Sequence, residues 1–179
     1  MSTLRIIGGE FKGRKISAPS NLPVRPTTDY AKEGLFNVLN NRIDFESVKA
    51  LDLFAGTGNI SYELASRGCQ SITCVDADFR CIKFIASTAE TFGFRQVKVV
   101  RSDVYSFLTK AKGQWDFIFA DPPYDQKDTV RLPEFVFKKE LLAPGGLLIV
   151  EHPERMQFND TSRLVETRSY GKVNFSFFA

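Results

Sequence analysis

The stretch from Leu51 to Ser61, LDLFAGTGNIS, decides how the rest of the chain is read. Its first residues are apolar apart from Asp52 and read as a strand inside a sheet. The run breaks at Gly56 and Gly58, and Asn59 opens NISYELASRG, which reads as a helix closing on Gly68. Glycines between a strand and a helix let backbone come close to a ligand. The helix start adds amides that have no intrahelical partner. Outward from this point the alternation repeats. SITCVD is a strand, Phe79 to Gly93 a helix, VKVVR a strand, and Val104 starts a short helix. WDFIFA is a fourth strand, TVRLPEFVFKKELL is weakly helical with Pro133 near its start, and GGLLIVEH is a fifth strand. Alternating strands and helices predict a parallel sheet wound on both faces. RLVETRSYGKVNFSFF breaks the alternation. It reads as two strands around a tight turn at Gly171-Lys172, an antiparallel hairpin on one edge.

Upstream, RIIGGEFKGRKISAP holds two short β-like runs around Gly8, Gly9 and Gly13. RPTTDYAKEGLFNVLNN follows, with Thr27 or Thr28 placed to cap a helix whose first turn carries Asp29. Leu35, Phe36, Leu39 and Ile43 give it an apolar stripe. No linker separates this part from the rest. Residues 1–43 are therefore expected as an extension packed on a main domain of residues 44–179, in one compact unit.

Composition narrows the function classes. The 179 residues fit one domain, 43% apolar, and the 17 Phe must fill much of its core. No apolar run reaches the ~18 residues of a membrane helix, and the start of the chain has no signal-peptide pattern. Cys69, Cys74 and Cys81 form no C-x-x-C pair and read as reduced thiols of a cytoplasmic protein. With His152 as the lone histidine, a His-based metal site or triad is not expected, and no metal is. The net charge of +3 is uneven: residues 1–42 carry +4 and the remainder −1. That asymmetry suits a polyanionic partner for the N-terminal end.

The chemistry is expected at the carboxyl ends of the strands, where open α/β sheets bind ligands. Asp76 ends the second strand and is placed to accept from both hydroxyls of a ribose. Asp103 ends the third and could accept from an adenine amine, or simply cap the next helix. A nicotinamide fingerprint would want Gly or Ala at position 61, where Ser61 stands. The set suits an adenosine ligand without a pyrophosphate, such as S-adenosylmethionine. The fourth strand then closes on Asp121-Pro122-Pro123-Tyr124. Pre-proline geometry holds Asp121 extended, the prolines donate nothing, and Tyr124 offers a ring to a planar base. An exocyclic amine is a poor nucleophile because its lone pair is delocalised. Acceptors on its hydrogens and a ring over its base favour attack on a sulfonium methyl by orientation and electrostatics.

These motifs carry a resemblance over nearly the whole chain, from Arg5 to Phe178. RIIGGEFKGRKI, RPTTDYAKEGLFNVL, DLFAGTG, ELASRG, DPPY and YGKVNFSFF are similar to those of the RsmD-type methyltransferases, which modify a guanine N2 amine in 16S ribosomal RNA. The resemblance implies a class I methyltransferase fold, Rossmann-like, with a mostly parallel seven-stranded sheet, a C-terminal antiparallel hairpin and a small N-terminal hairpin and helix. It implies S-adenosylmethionine as donor and 16S ribosomal RNA within the small subunit or its precursor as partner, with the enzyme cytoplasmic, off the membrane and monomeric. The expected site comprises Asp121, Pro122, Pro123 and Tyr124 for catalysis. Asp52, Phe54, Gly56, Gly58, Asp76, Asp103 and Thr27 are expected for the cofactor, and Arg5, Lys12, Arg14, Lys15 and Arg25 for RNA. The chain departs from the family pattern at Tyr30, Asn59, Ser61, Tyr62 and Asp76. DPPY alone is shared with adenine-N6 methyltransferases, which remain the alternative, but no target-recognition insert is visible here.

Overall fold

The computed structural model describes residues 2–23 and 27–179. Arg25 therefore lies outside the described residues. The chain opens with two short antiparallel strands, β1 (Ser2–Arg5) and β2 (Lys15–Ala18), which form a sheet of their own. Helix α1 (Asp29–Leu39) follows. Thr28 is its cap and accepts from the Ala31 amide at 3.2 Å, which leaves Thr27 free for another partner.

The main sheet uses β3 (Lys49–Leu53), β4 (Ser71–Asp76), β5 (Val97–Arg101), β6 (Trp115–Ala120), β7 (Leu142–Pro153), β8 (Leu164–Tyr170) and β9 (Val173–Phe178) in the order β5-β4-β3-β6-β7-β9-β8. Pairing is parallel from β5 to β7, and β9 is antiparallel to both β7 and β8. The class I methyltransferase architecture is thus the observed one. Its chain runs outward from β3 to β5, then returns beside β3 as β6. That reversal between β3 and β6 is the crevice in which such sheets bind ligands.

Helices α2 (Asn59–Ser66), α3 (Phe79–Phe92), α4 (Val104–Lys110) and α5 (Leu132–Lys138) connect the strands. Side-chain parity assigns the faces. Ala50, Phe117, Phe119, Ile149 and Phe177 point into one buried cluster shared with α1, α2, α3 and the N-terminal hairpin. Leu51, Leu53, Ile118, Ala120, Leu148, Val150 and Phe178 point into a second, under α4 and α5. Fully buried Phe117, Phe119, Phe175, Phe177 and Phe178, each worth roughly 1.5–3 kcal/mol of apolar burial, account for much of the phenylalanine content.

Two elements differ from the sequence reading. The weakly helical stretch before β7 splits into a 3-10 turn (Lys127–Arg131) and α5, because Pro133 supplies no amide to continue the first turn and starts a new helix instead. Strand β7 begins at Leu142, ahead of the expected glycines. Gly145, at φ 76°, lets it bulge, and the register against β6 shifts between Trp115 and Phe117.

Candidate active site

The loop after β3 is held by backbone geometry that few residues adopt. Phe54 has φ 58° and Gly58 φ 78°. For Phe54 this left-handed conformation costs on the order of 1–3 kcal/mol. At Gly58 a Cβ would stand 2.7 Å from the Tyr62 ring, so glycine is required there. Gly58 precedes α2 without a side-chain cap of its own, and within the first turn the Ser61 amide is engaged by Asp52.

Asp76, at the end of β4, is fixed from two sides. One carboxylate oxygen accepts from the Gly56 amide and the other from the Asp78 amide, both at 2.8 Å. Gly56 therefore serves by holding Asp76, and its amide is directed there. Asp103 caps α4, accepting from the Ser106 amide at 2.8 Å through one carboxylate oxygen, and the residue is exposed.

Asp52 corrects the expectation. It is 2% exposed and accepts from the Ser61 hydroxyl at 2.5 Å. Burial raises it to about 7, against the Ser61 bonds and with Asp76 adding to the rise. Its carboxyl lies beneath the loop, where it ties β3 to α2. It holds the edge in place and does not present itself to a ligand. Ser61, which weakened the nicotinamide reading, is the other half of this tie.

Thr27 meets the site from the opposite side. Its hydroxyl donates to the Glu151 carboxylate at 2.9 Å, and its carbonyl accepts from the Asn59 side chain at 3.1 Å. Asn59 in turn accepts from Lys32 at 2.8 Å, and Lys32 also donates to the Arg5 carbonyl at 2.6 Å and pairs with Glu63 at 3.1 Å. Lys32 and Glu63 are wholly buried, and desolvation lowers the lysine despite Glu63. A polar chain thus runs from the N-terminal hairpin through the first turn of α2 to the end of β7.

Asp121 follows β6 directly, and its amide donates to the Leu53 carbonyl at 3.3 Å across the crevice. No donor to its carboxyl is found among the described residues. Burial, then the nearby Glu151 and Asp52, hold Asp121 well above the usual carboxylate range, although its residue surface keeps some exposure. Pro122 is buried, and a turn closed by the Gln126 amide on the Pro123 carbonyl at 3.0 Å carries Tyr124. The Tyr124 ring is 53% exposed beside the crevice. The edge thus combines the uncapped start of α2, a rigid carboxylate, an acid without a donor among the described residues and an exposed ring.

Among the described residues, Lys12 and Arg14 do not gather there. The Gly8-Gly9 turn docks on the far end of α2: the Glu10 amide donates to the Ser66 carbonyl at 2.7 Å, and Phe11 packs on Phe92 and Phe94. Lys12 and Arg14 follow this turn, so they sit about one helix length, roughly 12 Å, from the reacting edge. Lys15 pairs in register with Arg5. The Arg5 guanidinium meets Asp29 at 3.1 Å and Glu33 at 3.4 Å. Close packing of Gly9 on Ser66 holds the loop that carries Lys12 and Arg14 at the far end of α2.

Residues 4–179 match the family model described as Conserved hypothetical protein 95. Among curated proteins, YlbH of Bacillus subtilis (strain 168) is 33% identical over 98% of both chains. Ribosomal RNA small subunit methyltransferase D of Escherichia coli (strain K12) is 34% identical over 83% of this chain and 74% of its own. The chain belongs to the RsmD-type methyltransferase family. Among solved structures, a hypothetical protein of Thermus thermphillus superposes with TM-score 0.85 at 28% identity, covering 98% of each chain. Within the RsmD family frame, the unusual Asn59 and Ser61 are explained by this chain's own contacts, one joining Lys32 to Thr27 and the other engaging Asp52.

Sequence reasoning missed Glu151, Lys32, Glu63 and Asn59. A signal for Glu151 existed: an acid inside the apolar run LLIVEH, near the strand end that lies beside DPPY. Lys32 and Glu63 gave none, since each looks like an ordinary helix-surface charge until the hairpin covers it.

Proposed function

We propose that this protein transfers a methyl group from S-adenosylmethionine to the exocyclic N2 amine of a guanine in small-subunit ribosomal RNA. The observation that carries the reading is Asp121, an acid with no donor among the described residues, at the mouth of the β3–β6 crevice between the cofactor loop and the Tyr124 ring. The residues present fit the donor: a glycine start of α2 without a side-chain cap, an Asp76 carboxylate oriented by two amides, and a Phe79 residue 56% exposed three positions along the chain. When bound, the cofactor supplies a sulfonium methyl open to attack.

The chain's own groups do the rest. Gly58 and the first turn of α2 receive the donor's polar end, and Asp76 accepts from the ribose. Asp121 accepts from the acceptor amine, which raises the electron density on nitrogen and takes up the charge that develops there. A carboxylate can serve guanine N1–H and N2–H together, which an Asn could not. Tyr124 stacks on the base and fixes its approach, and the buried Pro122 keeps the carbonyls beside it pointing as acceptors. The base must leave its stack to reach this edge, so unpaired nucleotides are favoured. The names of the small-subunit relatives support ribosomal RNA as the acceptor. Labelled methyl transfer into small-subunit particles from cells lacking the enzyme, followed by digestion, should give N2-methylguanosine. N6-methyladenosine would refute the assignment.

A further inference from the structure

Three large rings are exposed among the described residues, Phe79, Tyr124 and Tyr30, and Tyr30 is the most exposed at 66%. The reading above uses the first two and gives Tyr30 no task. Its ring meets Tyr170 edge to face, with 6.0 Å between centroids. Tyr170 ends β8, and β8 runs the same way as β7, because both are antiparallel to β9. Tyr170 thus reaches the sheet edge that carries Asp121, three strand spacings away, roughly 14 Å. Thr27, bonded to Glu151 near the end of β7, brings the start of α1 to that edge as well.

From the two rings a groove of about 580 Å³ runs down between α1 and β8. The sequence makes it by a change of side-chain type within one strand step. Phe175 and Phe177 of β9 are buried on the α1 side of the sheet, but their register partners on β8 are Arg168 and Glu166. The apolar core stops at β9, and β8 gives the groove a charged floor. Gly34 lets α1 come close, since a Cβ there would overlap the Tyr170 ring. Glu33 and Asn37 line the α1 wall, and Glu33 is tied to Arg5. Lower down, Arg42 and Arg168 share the one carboxylate of Glu166, so the two cations outnumber that acid, and both are exposed. A ring at the reacting edge, then polar side chains, then guanidinium groups match the stacking face, base edge and phosphate of a nucleotide.

We propose that this groove binds a nucleotide of the acceptor RNA that flanks the methylated one, with its base on Tyr30 and its phosphate at Arg42 and Arg168. The proposal rests on the reading above that ribosomal RNA is the acceptor, and not on which base is methylated. Stacking and phosphate contacts carry little sequence information. The groove therefore sets the direction and register of the strand across the edge, and the choice of base is left to the groups around Asp121.

The test is equilibrium binding of the full chain to small-subunit particles from cells lacking the enzyme, followed over a range of salt without any methyl transfer. Tyr30→Ala should weaken binding about fivefold or more, as the loss of one stacked base does. Tyr30→Trp should restore it, and both variants should keep S-adenosylmethionine affinity within about twofold. Arg168→Ala should weaken binding and reduce its salt slope by about one unit. A Tyr30→Ala variant that binds as wild type does, or a Tyr30→Trp variant as weak as Tyr30→Ala, overturns the proposal. A loss at Tyr30 with an unmoved salt slope in Arg168→Ala puts a protein of the particle in the groove, and overturns it too. A wild type that binds no particle at any salt refutes the ribosomal acceptor itself, and the proposal falls with it.

Discussion

Asp76 and Asp121 end strands on either side of β3, at the same edge of one sheet, and their surroundings are opposite. Asp76 has a backbone amide on each carboxylate oxygen. Asp121 has no donor among the described residues and two acids for neighbours. The first environment fixes a carboxylate in place before any ligand arrives. The second leaves one unsatisfied, ready for a partner that brings its own hydrogens. A donor half that is prearranged and an acceptor half that is left open is how the edge divides two tasks between residues of the same type.

The sharpest way to break this comparison is to neutralise the open acid. Asp121→Asn should lower single-turnover methyl transfer by about 10²–10³-fold, as the loss of one electrostatic stabiliser does elsewhere, while calorimetric cofactor affinity stays within a few fold. Equal loss of both would mean that the two halves are not separate. Asp76→Ala tests the other side. Losing the charged hydrogen bonds should cost roughly 1.5–3 kcal/mol of cofactor binding, and it also leaves the Gly56 and Asp78 amides without partners. Unchanged affinity would remove Asp76 from the site.

Asp52→Asn sharpens the contrast through pH. Asp52 is raised in the folded chain to about 7 from an ordinary 3.8, so folding takes up a proton between those values. Stability is therefore greatest below about pH 4 as far as this group is concerned, falls as pH rises, and levels off above about 7. The variant should remove about 3 kcal/mol of that decline between pH 5 and 8, seen as a flatter plot of melting temperature against pH. An equally steep plot would place the decline in other groups. The smallest effect is expected at the hairpin. Replacing Lys12 and Arg14 with Ala should leave cofactor binding intact and reduce the salt slope of particle binding by at most about one unit for each phosphate these side chains neutralise. A large loss of transfer rate at saturating acceptor would return those cations to the reacting edge.

How far the sequence reveals all this follows from the range of each interaction. The alternation of strands and helices, the hairpin at Gly171-Lys172 and the crossing at DPPY are local patterns, and the strand ends at Asp76 and Asp121 could be named from them. Contacts made by folding across the chain were hidden. Asp52 looks like a ligand residue until Ser61 covers it, and Thr27 is joined to Glu151 across 124 residues of sequence. The place of Lys12 and Arg14 was hidden because charge counts say nothing about where a loop docks, which Gly9 against Ser66 decides.

The burial of Lys32 has a practical consequence. Among the described residues no other lysine is buried, and its ammonium is enclosed by the Arg5 carbonyl, Asn59 and Glu63. An amine-reactive reagent should therefore label the other lysines quickly and reach Lys32 only when the N-terminal hairpin lifts from α2. The labelling rate at this one residue, read by mass spectrometry, is then a clock for that opening. Comparing it with and without bound ligand would time how tightly the first strands of the chain are latched to the sheet edge they serve.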